Sequence, residues 1–126
     1  MQKKYVNSTL YILIMALLSV SSVWADEVIQ FKTKGEPAYF VNDVQNPEIT
    51  LKRGMTYQFE MNAPGHPLWI KTNISAGKND AYTNGIAGNG TDRGKITFVV
   101  PADAPAVLFY NCQFHVVMNG KINITD

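Results

Sequence analysis

Strong metal-binding and nucleophilic side chains are scarce in this 126-residue chain, which has one cysteine and two histidines. A lone cysteine, Cys112, excludes an internal disulfide, so the fold has to come from burial. An excess of charge of either sign is missing as well, with 11 Lys and Arg against 10 Asp and Glu. That balance gives no electrostatic footprint for nucleic acid or an anionic membrane surface. Long helical periods are absent, and so are internal repeats and any sign of a second domain. The Asn- and Asp-rich stretch from Thr72 to Gly94 lacks the ligand register of an EF-hand, which argues against calcium.

Long apolar runs are confined to the start of the chain. Lys3 and Lys4 precede an apolar core from Leu10 to Val20, and Ser21-Ser22-Val23-Trp24-Ala25 ends in small residues. This is the pattern of an export signal cleaved after Ala25. The core is shorter than the roughly 20 residues of a membrane span, so no span is expected in the mature chain. Cleavage leaves residues 26–126 as one domain with nine basic and ten acidic residues, a net charge of −1. A periplasmic location and a monomeric state are expected.

Period-two alternation dominates that domain. Val28–Phe31, Ile49–Leu51, Tyr57–Met61, Leu68–Ile70, Ile96–Val100, Val107–Cys112 and Ile122–Ile124 all read as strands. The run from Ile49 to Met61 is either two strands or one strand with a turn at Arg53-Gly54. Asn42 to Pro47 reads as polar loop, and Thr72 to Gly94 as a loop long enough to hold local elements of its own. Short strands with regular turn signals predict an all-β sandwich rich in antiparallel pairing. In the run Val107–Cys112, Leu108, Tyr110 and Cys112 share one face, so a core-facing Leu108 brings the thiol inward.

Cys112, His115 and Met118 fall within seven residues of one another, and His66 lies in Pro64-Gly65-His66-Pro67, at a strand end. A thiolate, two imidazoles and a thioether are the donor set of a blue-copper site, with methionine as the weak axial ligand. Each residue has a plainer explanation on its own: a buried Cys packs as a small hydrophobe, and Met fills gaps in cores. Their joint placement favours one copper ion cycling between Cu(I) and Cu(II). Zinc would want a stronger fourth donor than a thioether. Nucleophilic catalysis by Cys112 with His115 lacks an orienting third group and a visible oxyanion arrangement, so no enzymatic activity is expected.

Leu108-Phe109-Tyr110-Asn111-Cys112-Gln113-Phe114-His115, followed by Met118-Asn119-Gly120-Lys121-Ile122, resembles the C-terminal copper loop of the plastocyanin-like cupredoxins. Glu48 to Tyr57 resembles their strand, Gly turn, strand unit. Gly65-His66-Pro67 stands where their first histidine ligand is expected, and Gly94 to Pro101 resembles the strand before the copper loop. The resemblance covers most of residues 26–126. It implies a cupredoxin-like Greek-key β-sandwich with His66, Cys112 and His115 as equatorial ligands and Met118 as the axial one. It also implies single-electron transfer between redox proteins. Two departures stand out. Only Val116 and Val117 separate His115 from Met118, a shorter gap than in plastocyanins. Pro67 follows His66, where many cupredoxins have an Asn that braces the Cys-bearing loop.

Pro67, Phe114, Val116 and Val117 surround the two histidines. They either form a docking face for a redox partner or pack inward to shield the metal. Three functions are compatible with these residues. They are an electron carrier, a Cu(I)-binding protein for copper delivery or resistance, and a cupredoxin-like interaction module without metal.

Overall fold

A computed structural model describes residues 24–126. The export-signal reading of residues 1–25 falls almost wholly outside the described residues. Ten strands follow in order: β1 Glu27–Lys32, β2 Phe40–Val41, β3 Val44–Gln45, β4 Ile49–Lys52, β5 Thr56–Asn62, β6 Leu68–Lys71, β7 Ile86–Ala87, β8 Arg93–Val99, β9 Val107–Cys112 and β10 Asn119–Thr125. They make two sheets, ordered β3-β2-β1-β5-β8-β7 and β4-β10-β9-β6. The described residues form no helix, and so none that could cross a membrane. The all-β sandwich expected from the alternation is present, with two parallel pairings, β1 with β5 and β4 with β10, among antiparallel ones.

Consecutive strands switch sheets five times, at β3 to β4, β4 to β5, β5 to β6, β6 to β7 and β8 to β9. The switch from β4 to β5 resolves the ambiguity at Arg53-Gly54 into two strands. Gly54 has φ 83°, a left-handed conformation that glycine adopts without strain. Arg53 steadies this corner by donating through Nη2 to the Ala104 carbonyl at 2.8 Å and pairing with Asp126 at 2.9 Å.

Alternation then decides what is buried. Phe31, Phe59, Ile96 and Phe98 from the first sheet meet Leu51, Leu68, Ile70, Leu108, Tyr110 and Ile122 from the second, all fully enclosed. Phe31 is the hub, with ring centroids 5.0 Å from Phe59, 5.2 Å from Tyr110 and 5.9 Å from Tyr39. Tyr110 needs Gly120 opposite it, because a Cβ there would lie 2.1 Å from the Tyr110 ring.

The long segment after β6 is ordered. Tyr82 donates its N–H to the Ile70 carbonyl and Gly90 to that of Leu68, both along the edge of β6. Asn89 Oδ1 accepts the Ile70 N–H at 2.8 Å. These contacts occupy polar groups of β6 that an edge strand would otherwise leave open. The polar loop at 42–47 contains β3, folded back on β2 by Asn42, Asp43 and Asn46, all at positive φ.

Candidate metal centre

Two turns at one end of the sandwich carry the candidate ligands. His66 lies in the turn between β5 and β6. Ala63 donates its N–H to the Asp92 carbonyl and the Asp92 carboxylate accepts that of Gly65, so the turn is tied to the start of β8. Gly65 has φ 82°. The carbonyl of His66 accepts the Tyr39 hydroxyl at 2.7 Å. Tyr39 is itself fixed through its N–H, which donates to Asn46 Oδ1 at 2.9 Å.

The second turn joins β9 to β10. Cys112 ends β9 on the core face and is fully buried. Its N–H donates to the Met118 carbonyl at 2.9 Å, and the Met118 N–H donates to the His115 carbonyl at 3.0 Å. Those two bonds close Gln113–Val117 into a compact loop. Pro67 accepts the Gln113 N–H at 2.9 Å, which docks this loop on the histidine turn. Trp69 Nε1 adds a bond to Gln113 Oε1 at 3.0 Å.

The chain thus brings His66, Cys112 and His115 together. One ligand atom from each lies within 4.8 Å of the others. Cys112 Sγ is 3.6 Å from His66 Nδ1 and 3.7 Å from His115 Nδ1, and the imidazole centroids are 4.9 Å apart. Two ligands about 2.0 and 2.3 Å from a metal, and about 110–120° apart, lie roughly 3.5–3.7 Å from each other. The two sulfur-to-nitrogen spacings match that separation, so the residues present fit a metal bound by one sulfur and two nitrogens. Met118 is fully buried in the same core cluster as Cys112.

Electrostatics agree with a site at the rim of the core. Partial burial and the neighbouring His115 hold His66 below the ordinary imidazole range, against an opposing pull from Asp92. A neutral imidazole is the form that binds metal. Burial, with Cys112 close by, pushes the Tyr39 phenol well above its usual range, so it stays a donor to His66. Phe114 and Val117 are 64% and 74% exposed, and Val116 is exposed as well. The side chains around His115 therefore face outward.

Four supporting residues go unmarked in the sequence reading: Tyr39, Lys71, Ser75 and Asn111. The available signal was Asn111, a polar residue in the otherwise apolar run Val107–Cys112. It is fully buried on the outer face of the second sheet.

No family model and no curated protein matches this sequence. Solved structures do share its architecture. Reduced rusticyanin superposes with a TM-score of 0.55 at 22% identity, over 89% of this chain and 94% of that one. Rusticyanin from Thiobacillus ferrooxidans gives 0.53 at 20% identity, over 90% and 92%. Auracyanin B gives 0.51 at 13% identity, over 85% and 94%. Strand order, the packed core and these neighbours together give the chain the fold of the cupredoxins, the blue copper proteins.

Proposed function

We propose that this chain is an exported type 1 copper protein that carries single electrons between redox partners. Residues 1–25 act as the export signal and residues 26–126 as the mature periplasmic domain. His66, Cys112 and His115 would hold the copper ion, with Met118 as a fourth, weaker donor. The observation that carries this reading is the pair of sulfur-to-nitrogen distances, 3.6 and 3.7 Å, within one small triangle. Bound copper supplies the redox chemistry, taking up and returning one electron.

The residues of the chain do the rest. Cys112, at the end of a core strand, keeps its sulfur away from water. Two separately anchored turns hold the histidines, so the donor triangle can persist through a change of charge with little movement. Phe114, Val116 and Val117, exposed beside His115, offer an apolar face on which a redox partner can dock, with Pro67 at its edge.

A second reading, Cu(I) binding for delivery or resistance, is favoured by the two-residue gap between His115 and Met118. That gap puts a thiolate and a thioether in one short loop, a combination suited to Cu(I). The visible spectrum after one equivalent of Cu(II) separates the two. An electron carrier gives an intense sulfur-to-copper band, which Cys112→Ser abolishes. A colourless protein that retains Cu(I) supports the second reading. A coloured Cys112→Ser variant would refute Cys112 ligation.

A further inference from the structure

Lys71 has no role in the donor triangle, yet it is fully enclosed. Its ammonium meets only neutral acceptors: the Ser75 carbonyl at 2.7 Å, Ser75 Oγ at 3.4 Å and Asn111 Oδ1 at 3.3 Å. Burying a cation without a paired carboxylate is costly, so a compensating role is expected of it. The same Asn111 Oδ1 also accepts the Ser75 N–H at 3.0 Å. On its other side, Asn111 Nδ2 donates to the Val116 carbonyl at 3.2 Å and the Met118 carbonyl at 3.1 Å.

Two donors converge on one end of this amide and two acceptors on the other. Turning it over would set its NH2 group against an ammonium and an N–H, and its oxygen against two carbonyls. Lys71 and Ser75 therefore fix which way Asn111 points. No buried polar side-chain atom among the described residues is left without a partner. The histidine turn offers little comparable help to the 115–118 segment. Pro67 has neither an N–H nor a polar side chain, and its carbonyl is engaged by Gln113.

We infer that Asn111, oriented by Lys71 and Ser75, is the positioning residue that holds the His115–Met118 segment against β9. Hydrogen bonds reaching ligand segments from outside the donor set orient them and set affinity. Here they come from beneath the sheet, on the face opposite the core. The inference rests on the copper reading for its consequence, although the brace itself belongs to the metal-free chain.

Asn111→Asp separates the two ends of the amide. It keeps acceptors for Lys71 and Ser75 but turns a carboxylate oxygen on the Val116 and Met118 carbonyls. In the metal-free protein, amide exchange at Met118 is expected to accelerate about tenfold, while amides in β1, β5 and β8 keep their protection. Cu(I) affinity, measured by competition with a chromophoric chelator, is expected to fall about 10- to 100-fold. Unchanged Met118 exchange together with affinity within about twofold of the parent overturns the inference. Lys71→Met is expected to act in the same direction by a smaller factor. If Asn111→Asp does not fold, Lys71→Met decides alone. Faster exchange confined to residues 115–118 upholds the brace, and exchange that is unchanged or spread through β6 and β9 overturns it. A parent protein that takes up no copper defeats the copper reading and leaves the exchange measurement to judge the brace.

Discussion

Strand β9 turns Leu108, Tyr110 and Cys112 toward the core and carries Asn111 on its other face, and both faces are buried there. On the core side, neighbours are mainly aromatic and aliphatic, and the Tyr110 hydroxyl donates to the Pro47 carbonyl. On the outer side, Asn111 hydrogen-bonds to Lys71, Ser75 and the Val116 and Met118 carbonyls. Apolar packing holds elements together but tolerates small shifts of one against another. A saturated hydrogen-bond cluster has one geometry. The core face therefore accounts for stability and the polar face for the fixed position of a loop.

Removing Tyr110 should break the core side most severely. Tyr110→Ala is expected to cost about 3–5 kcal/mol, read by urea unfolding, because Phe31 and Tyr39 lose their shared neighbour. Gly120→Ala attacks the same contact from the opposite strand by overpacking. With its Cβ driven into the Tyr110 ring, a loss of about 1–3 kcal/mol is expected. Lys71→Met tests the polar side. It removes a costly buried charge, keeps the aliphatic stem and leaves Ser75 donating to Asn111. A change within about 1 kcal/mol is expected in the same unfolding measurement. A loss as large as that of Tyr110→Ala would erase the distinction between the two faces.

The same contrast explains what was legible in the sequence. Alternation located Leu108, Tyr110 and Cys112, and ligand chemistry picked out His66, Cys112 and His115, which the fold brings together. Local pattern carries both. Lys71 was hidden because Leu68-Trp69-Ile70-Lys71 alternates as though its polar positions faced water. Residues 72–80 instead close over that side, with Thr72 donating its N–H to the Asp80 carbonyl. Tyr39 lay in a connection and met His66 only through the tertiary fold. The parallel partners of β1 and β4 were equally unreadable, since period two reveals a buried face but not the strand beside it. The two-residue strand β3 is too short to show any period at all.

Pairing of β4 with β10 joins Ile49 to Ile122 and Leu51 to Ile124, residues far apart along the chain. A ribosome therefore delivers β4 long before the partner that completes its ladder. Until residues 119–125 emerge, the second sheet lacks one of its two inner strands, and β9 has only β6 to pair with. Such late, long-range closure is slow compared with local pairing. The hydrogen bond from the Cys112 N–H to the Met118 carbonyl forms at the doorstep of β10, so the loop that carries His115 closes only once β10 begins to pair. A growing chain consequently presents no finished donor triangle until residues 119–125 have emerged and paired with β9.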